Sequence, residues 1–250
     1  MIQQNLRAAM VCVDYSDLLA ITLPYNRHHF SEVLIVTTPD DTNTIQLAES
    51  HDCQMYLTRE FYEGGASFNK WLALESGLDH FGRHGWMCLM DADVLWPKEI
   101  THQEYEIGKL YTPLRHMFSN IADPFPQEHE WKRYRTHGNT GEWAGYTQIF
   151  HADDLHLGPS PWHQTNWKHA GGADSFFQRK WEPQNKVRTP WNVLHIGEAG
   201  KNWCGRATEL MDGSRPEESH QRSQTLSQFV DQRKKAMSRK EHDPYQYEKM

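Results

Sequence analysis

Two aspartates directly follow an apolar segment near the middle of the chain. Residues 87–90, Met-Cys-Leu-Met, are typical of a buried strand, and Asp91-Ala92-Asp93 comes next. Two carboxylates separated by one small residue can reach the same divalent cation, since hard cations take oxygen ligands. Such a cation can hold a diphosphate and stabilise the charge that grows on a departing phosphate. The short pattern alone is weak, because Asp-x-Asp also occurs by chance and often only caps a turn.

The first ninety residues contain the elements that would position these aspartates. Short apolar, β-branched runs alternate with segments of helical periodicity, which predicts βαβ units and a mainly parallel sheet. Ligands of open α/β sheets bind beyond the carboxyl ends of the strands, so Asp14, Asp40 and Asp91 are expected to face one crevice. The predicted strands are residues 7–13, 32–37, 54–57 and 86–90, and the predicted helices are residues 17–27, 41–50 and 67–81.

The pattern changes after Pro97, where the chain becomes rich in Pro, Trp, His and charged residues. Short apolar pieces remain at 146–150 and 193–196, so we expect loops, β-ribbons and short helices in this half. Residues 216–240 have the pattern of a terminal helix that packs on the body. Because 250 residues can form one elaborated domain and no Gly/Ser-rich linker occurs, we predict a single folded unit.

The composition excludes several classes of protein. Hydrophobic residues make up 38% of the chain and charged residues 24%, which is typical of a globular protein, and no apolar run approaches the ~18 residues of a membrane span. The N-terminus does not resemble a secretory signal, so we expect a cytoplasmic location, in the host cytoplasm if the chain is viral. The net charge of −7 argues weakly against indiscriminate polyanion binding. Cys12, Cys53 and Cys88 lie in or beside strand-like runs, which favours free thiols over disulfides or zinc.

Four segments in a fixed order resemble the GT-A glycosyltransferases, most of all the family-2-type enzymes. Residues 68–78, Phe-Asn-Lys-Trp-Leu-Ala-Leu-Glu-Ser-Gly-Leu, are similar to the family's helix before the strand with the Asp-x-Asp motif. Residues 143–150 are similar to the segment that cradles the donor sugar, and residues 171–179 to the acidic acceptor-site motif. Residues 193–197 are similar to a late strand whose histidine completes the metal shell.

The resemblance implies a fold and a division of the chain. The fold is an α/β, Rossmann-like, mainly parallel twisted sheet flanked by helices, with an irregular acceptor-side half and a C-terminal helix. The catalytic domain would comprise residues 1–206, and residues 207–250 would form a helical extension packed on the same domain.

The resemblance also implies a metal site. Asp91 and Asp93 would contact a divalent cation and the diphosphate of a nucleotide sugar, with a UDP-sugar as the expected donor. His195 would be a third protein ligand, and an imidazole beside carboxylates favours Mn²⁺ while leaving Mg²⁺ open. The alternative interpretation of His195 is a histidine whose hydrogen bonds are satisfied within a strand.

Asp174 is the candidate catalytic residue. By resemblance it would be the general base that takes the proton of the acceptor hydroxyl, and the reaction would invert the anomeric centre. The sequence departs from the family here, since the family usually carries two adjacent acids where this chain has Ala173-Asp174. The alternative role for Asp174 is to cap a helix that begins at Ser175.

Further residues are candidates for holding the donor. Asp14 and Asp40 can accept hydrogen bonds from a nucleotide base or ribose, although Asp40 could instead start the next helix. Lys70 and Arg206 could offset phosphate charge, with ordinary surface charge as the alternative. Gly145 lies in the segment that resembles the sugar cradle.

Tryptophans supply candidate stacking surfaces for a sugar or a base. Trp143 belongs to the cradle-like segment, and Trp203 lies in a Gly-bounded loop, residues 200–206, that we expect to close over the donor. These two are the predicted stacking residues. For Trp162 and Trp167 we favour burial in the core.

The leading functional prediction is therefore transfer of a hexose from a nucleotide sugar to a hydroxyl of a saccharide. An alternative is a phage-type enzyme that glycosylates hydroxymethylated pyrimidine bases in DNA, which the basic stretches 132–135 and 233–240 and the many aromatic residues would suit. A nucleotidyltransferase is less well supported, because no Gly-rich, basic phosphate loop follows the first strand. The non-enzymatic alternative is an inactive module that binds a sugar or a nucleotide.

Overall fold

The computed structural model describes residues 5–119, 125–134, 136–137, 143, 145–197, 201–202, 204–206 and 208. The predicted terminal helix at 216–240 lies outside these residues, as does the extension from 207 onward except for residue 208. Within the described ranges, no helix is both long enough and apolar enough to cross a bilayer.

One sheet contains the nine strands found in the described part of the chain. Their order is β3-β2-β1-β4-β8-β6-β9-β5, and β7 pairs with β6 outside this path. The strands are β1 Leu6–Val11, β2 Glu32–Thr37, β3 Gln54–Leu57, β4 Trp86–Met90, β5 Val94–Leu95, β6 Leu110–Phe118, β7 Thr136–His137, β8 Thr147–His151 and β9 Lys186–Ile196.

Helices connect the first strands and cover the sheet. The α-helices are α1 Ser16–Asn26, α2 Thr42–Ser50, α3 Lys70–Phe81 and α4 Ala173–Phe177. Short 3₁₀ helices occupy Arg27–His29, Glu60–Gly65, Glu128–Arg133, Gln178–Lys180 and Pro183–Asn185.

The first half of the molecule matches the prediction closely. Strands β1 to β4 pair in parallel, and three of the four have the predicted bounds. Capping side chains set the helix starts: Asn69 accepts from the Leu72 amide at 3.2 Å, and Asp41 accepts from the Thr44 amide at 3.1 Å. Because these residues are caps, α3 begins three residues later than predicted and α2 one residue later.

The second half is more regular than predicted. The sheet turns antiparallel where β8 joins β4, and it continues into the long strands β6 and β9, which pair in parallel. Pro113 and Pro190 obscure these strands in the sequence, because proline cannot donate to a strand ladder. Pro113 lies at a register shift between Thr112 and Leu114. The predicted α/β class is confirmed, with a sheet that is parallel in its first half and mixed overall.

Both faces of the sheet are covered. Along β2, Val33 and Ile35 belong to one apolar cluster and Leu34 and Val36 to another, since successive residues of a strand point to opposite faces. All four are at most 1% exposed. A parallel strand buried on both faces is apolar throughout, which explains why the sequence signal was clear there. The cysteines are free thiols, as predicted.

A buried histidine makes the fold sensitive to acid. His29 is 7% exposed, and its Nε2 bonds to the Pro97 carbonyl at 2.8 Å. Burial, and then the neighbouring His28, lower the pKa of His29 from 6.5 to about 4. The unfolded chain thus protonates His29 at a higher pH than the folded protein does. The protein therefore has its full stability above pH 6.5 and loses part of it as the pH falls toward 4. We expect the free energy of unfolding to fall by on the order of 3 kcal/mol across this window.

Urea unfolding at pH 7 and pH 4.5 measures this effect. The variant His29→Gln is expected to flatten the pH dependence, whereas His84→Gln, at an exposed position, should leave it as in the wild type. An unchanged pH dependence in His29→Gln would show that another group is responsible.

Candidate functional site

Asp91, Asp93 and His195 form a cluster at the carboxyl end of β4. Each offers one ligand atom, and these atoms lie within 4.8 Å of one another. The Asp93 Oδ1 and the His195 Nε2 are 3.1 Å apart. Ligands around one octahedral cation are about 3 to 5 Å apart, so this set fits a single ion. Two carboxylates with one imidazole suit Mn²⁺.

Strand pairing brings the histidine to the aspartates. Val94 of β5 is the antiparallel partner of His195 in β9, and the Ile196 amide donates to the Asp93 carbonyl at 2.9 Å. The register between two strands distant in sequence therefore sets the separation of the Asp93 and His195 side chains.

Helix α1 holds the backbone of the aspartate loop. The Thr22 hydroxyl donates to the Ala92 carbonyl at 2.5 Å, and the Asn26 amide donates to the Val94 carbonyl at 2.7 Å. The Asn26 oxygen also accepts from the Trp96 amide at 2.9 Å. Both side chains are 2% exposed, so their bonds are shielded from water. The sequence does not reveal this role, because nothing local distinguishes a polar helix residue that bonds a distant loop.

Lys70 pairs with the first aspartate. Its Nζ lies 2.5 Å from the Asp91 Oδ1, and its side chain is only 15% exposed. Burial lowers the pKa of Lys70, but the charges of Asp91, Asp174 and Asp93 outweigh burial and raise it. The ammonium therefore stays charged among three carboxylates. The alternative of ordinary surface charge is wrong for Lys70.

Arg115 orients the histidine. Its Nη1 donates to the His195 Nδ1 at 3.0 Å, and its guanidinium lies 4.4 Å from the centre of the Tyr146 ring. Because a guanidinium cannot accept, Nδ1 is the acceptor and the imidazole proton is on Nε2, facing Asp93. Binding of a cation through Nε2 would release this proton. Burial raises the pKa of Asp93, but the larger combined effect of His195 and Lys70 holds it below its usual range.

Asp174 contacts Gly145, in the segment that resembles the sugar cradle. Its Oδ2 accepts from the Gly145 amide at 2.8 Å. The helix that carries it begins at Ala173 after Gly172, whose φ of +109° favours glycine. The alternative role of Asp174 as a helix cap is therefore wrong, because Gly172 occupies the cap position.

Close packing at Gly145 gives a second prediction. A methyl group there would lie 2.6 Å from the Asp174 Cβ and 3.1 Å from its Oδ2. We expect Gly145→Ala to destabilise the protein by roughly 1–3 kcal/mol and to displace the carboxylate. Chemical denaturation measures the loss. In an Asp174→Gly background, Gly145→Ala should lower the free energy of unfolding by clearly less. An equal loss in both backgrounds would show that the clash with Asp174 is not the cause.

Asp14 and Asp40 have different surroundings. The Asp14 amide donates to the Asp41 Oδ2 at 2.8 Å, which joins the ends of β1 and β2. Asp40 pairs with Arg59 at 2.5 Å, with both side chains 65% exposed. Asp41, and not Asp40, starts α2, so the alternative role of Asp40 is wrong.

Arg206 is buried and paired. It is 0% exposed, and its Nη1 and Nη2 donate to the two Asp17 carboxylate oxygens at 2.6 and 2.9 Å. Its Nη1 also donates to the Asp14 carbonyl at 3.2 Å, and its guanidinium lies over the Tyr15 ring at 4.6 Å. Arg206 thus ties the loop after β9 to the start of α1. The interpretation as surface charge is wrong for this residue.

The tryptophans divide as follows. Trp162 and Trp167 are 5% and 6% exposed and pack in the core, as the sequence analysis predicted. Trp143 is partly exposed, and the Arg188 guanidinium lies 4.1 Å from the centre of its ring. Trp203 lies outside the described residues.

Comparisons with known proteins give distant structural matches. No family model and no curated sequence matches the chain. Mannosyl-3-phosphoglycerate synthase from Rubrobacter xylanophilus is 13% identical over 96% of this chain and 77% of that one, with a TM-score of 0.44. Glucosyl-3-phosphoglycerate synthase from Mycobacterium tuberculosis, solved with Mn²⁺, UDP and glucosyl-3-phosphoglycerate, is 10% identical over 91% and 78%, with a TM-score of 0.43.

A nucleotidyltransferase also matches. CTP:phosphocholine cytidylyltransferase from Streptococcus pneumoniae is 8% identical over 46% of this chain, with a TM-score of 0.31, and this chain spans 56% of its length. GT-A glycosyltransferases, which the resemblance in the sequence predicted, and also related nucleotidyltransferases are thus among the structural neighbours. Likenesses at these identities and TM-scores carry no argument for an activity, which depends on the geometry of the site.

Proposed function

We propose that this protein is a metal-dependent glycosyltransferase that moves a hexose from a nucleotide sugar, with UDP as the nucleotide, to a hydroxyl of an acceptor. One observation carries the proposal: Asp91, Asp93 and His195 present ligand atoms within 4.8 Å of one another, beyond a buried strand of an α/β sheet. Ligands of such sheets bind at this edge.

The donor set fits a divalent cation bound with a diphosphate. Asp91, Asp93 and His195 would hold the ion on one side, which leaves coordination positions for phosphate oxygens and water. A bound ion would supply Lewis-acid stabilisation of the leaving diphosphate. The partial exposure of Asp91 and Asp93, 27% and 18% of their side chains, supports access for a ligand.

Lys70 can contribute to holding the donor. Its raised pKa keeps it cationic, so it can neutralise phosphate oxygens beside the metal. Its contact with Asp91 supports a shared role, since one ammonium can contact the carboxylate in the free protein and a phosphate in the complex. We propose Lys70 as a diphosphate ligand.

Asp174 is the proposed general base. The Gly145 amide fixes one carboxylate oxygen at 2.8 Å, and the other can accept the proton of an incoming hydroxyl. A base opposite the leaving group would invert the anomeric centre.

Other proposed donor contacts come from the surrounding loops. Asp14 and Asp40 remain proposed contacts to the base and ribose, and Trp143 and Gly145 remain proposed contacts to the sugar. Trp203 and Arg206 are proposed to act from the loop after β9, with Arg206 positioning that loop through Asp17.

The DNA-directed alternative gains no support from the described residues. Lys132 and Arg133 lie on a 3₁₀ helix that also carries Glu128 and Glu130, and Arg133 pairs with Glu130 at 3.0 Å. The charges of this 3₁₀ helix therefore balance, and the basic stretch 233–240 lies outside the described residues.

A metal-dependent thermal-shift screen tests the function. Nucleotide sugars are added with and without Mn²⁺, and nucleoside triphosphates serve as the comparison for a nucleotidyltransferase. A donor at a hundred times its Kd should stabilise the protein by about 2.7 kcal/mol, or several degrees in Tm, only when Mn²⁺ is present. Equal shifts without metal, or larger shifts with a triphosphate, would contradict the proposal.

A further inference from the structure

An internal cation contacts one of the candidate metal ligands. The Lys70 Nζ lies 2.5 Å from the Asp91 Oδ1, and the two side chains are 15% and 27% exposed. Divalent cations lie about 2.0–2.6 Å from the carboxylate oxygens that ligate them, so the ammonium is nearly as close to Asp91 as an ion would be. The free protein therefore pairs this ligand with a charge of its own.

Lys70 and a divalent ion are poor neighbours on the same carboxylate. Both would carry positive charge, and their repulsion is weakly screened because Lys70 and Asp91 are mostly buried. Binding of an ion through Asp91 therefore favours departure of the ammonium. The affinity for the ion is then lowered by the stability of the Lys70–Asp91 pair, which has to be broken first.

The lysine side chain can leave while the rest of the site stays in place. Lys70 is the first residue of α3, whose start is capped by Asn69. The Asp91 amide donates to the Tyr146 carbonyl at 3.1 Å, which holds the other partner. The four-carbon stem of a lysine is flexible, so rotation of the side chain moves the ammonium without moving either backbone. The ring of Trp71, whose centre is 5.0 Å from Nζ, offers it a second favourable contact.

A diphosphate would give the departing ammonium a new partner. An ion alone brings no anion, so Lys70 loses its pair with Asp91 and gains nothing in return. An ion that arrives with a nucleoside diphosphate brings phosphate oxygens, which accept charge-assisted hydrogen bonds from an ammonium. Loss of the contact with Asp91 is then offset by a contact with phosphate.

We propose that Lys70 makes this site select a metal ion together with a nucleoside diphosphate over a metal ion alone, by exchanging the Asp91 carboxylate for a phosphate oxygen. The inference rests on the proposed function and adds to it a coupling between two ligands. By linkage, whatever strengthens metal binding in the presence of the nucleotide strengthens nucleotide binding in the presence of the metal equally.

Mn²⁺ binding with and without UDP tests the exchange in the absence of turnover. Electron paramagnetic resonance measures free Mn²⁺ in the wild type and in Lys70→Met, and a titration without protein corrects for the Mn²⁺ that UDP holds in solution. Without UDP, Lys70→Met should bind Mn²⁺ about tenfold more tightly than the wild type, because no ammonium holds Asp91. With saturating UDP, the two proteins should agree within about twofold. UDP thus strengthens Mn²⁺ binding several-fold more in the wild type, about five- to tenfold.

Two further variants control for loss of charge and for damage to the fold. Lys109→Met removes a lysine whose ion pair with Glu106 is more exposed, at 31% and 65%, and should bind Mn²⁺ as the wild type does in both conditions. Lys70→Gln also lacks the ammonium and should behave as Lys70→Met does, so the test stands if Lys70→Met is unstable. Circular dichroism identifies the variants that are folded.

The outcomes separate the exchange from the function. If Lys70→Met binds Mn²⁺ more tightly by the same factor with and without UDP, Lys70 only repels the ion from a fixed position, and the exchange is overturned. Equal or weaker binding by Lys70→Met without UDP overturns it as well. Both results leave the metal site and the proposed function in place. No Mn²⁺ binding by the wild type at saturating UDP overturns the proposed function, and the exchange with it.

Discussion

Asp93→Ala is expected to abolish metal-dependent donor hydrolysis and transfer while the protein stays folded. The substitution removes one of three clustered ligand atoms and leaves His195 without its carboxylate partner. We expect Mn²⁺ binding to weaken by about a hundredfold or more and the transfer rate to fall by roughly 10²–10³. Electron paramagnetic resonance measures free Mn²⁺, and release of UDP measures turnover.

The control for this variant is Asp153→Ala. The Asp153 side chain is 77% exposed, so its removal should change neither metal binding nor rate. Circular dichroism confirms that Asp93→Ala retains the fold. Near-normal turnover in folded Asp93→Ala would reject the metal site as the centre of the reaction.

Arg206→Met is expected to lower the free energy of unfolding by about 3–5 kcal/mol. Arg206 is fully buried, and the loss of its guanidinium leaves the Asp17 carboxylate, only 17% exposed, without its bidentate partner. Urea denaturation measures the change. Arg59→Met is the matched control, because its ion pair with Asp40 is 65% exposed on both sides and should contribute no more than about 1 kcal/mol.

A double-mutant cycle with Asp17→Asn isolates the pair. The double variant should lose clearly less free energy of unfolding than the two single variants together. The reason is that, once one partner is removed, removing the other no longer leaves a buried charge unpaired. If Arg206 serves mainly the donor phosphates, as the sequence suggested, Arg206→Met will keep its stability and lose UDP affinity. That result would contradict the structural role.

The candidate metal ligands show what can be predicted from local sequence and what cannot. The strand before Asp91 is apolar throughout because both of its faces are buried, so the motif could be located at the end of a strand. His195 was assigned to the same metal site from the family resemblance of residues 193–197, and not from its spacing in the sequence. The structure then supplied the reason for the contact, which is the pairing of Val94 with His195.

Arg115, Thr22 and Asn26 could not be found in the same way. Each acts through a partner that is about 70 or more positions away in the chain, and none belongs to a motif. Arg115 also lies on β6, a strand that Pro113 obscures. Local signals do not report such contacts.

The sequence by itself determined the parallel half of the sheet, its helices and the place of Asp91 and Asp93, because burial periodicity and apolar runs are local properties of a chain. The tertiary structure alone decided which side chains meet there: Lys70 at Asp91, Arg115 at His195, and Arg206 at Asp17 instead of in solvent. These contacts depend on strand register and on the packing of distant segments, and both arise only when the whole sheet forms.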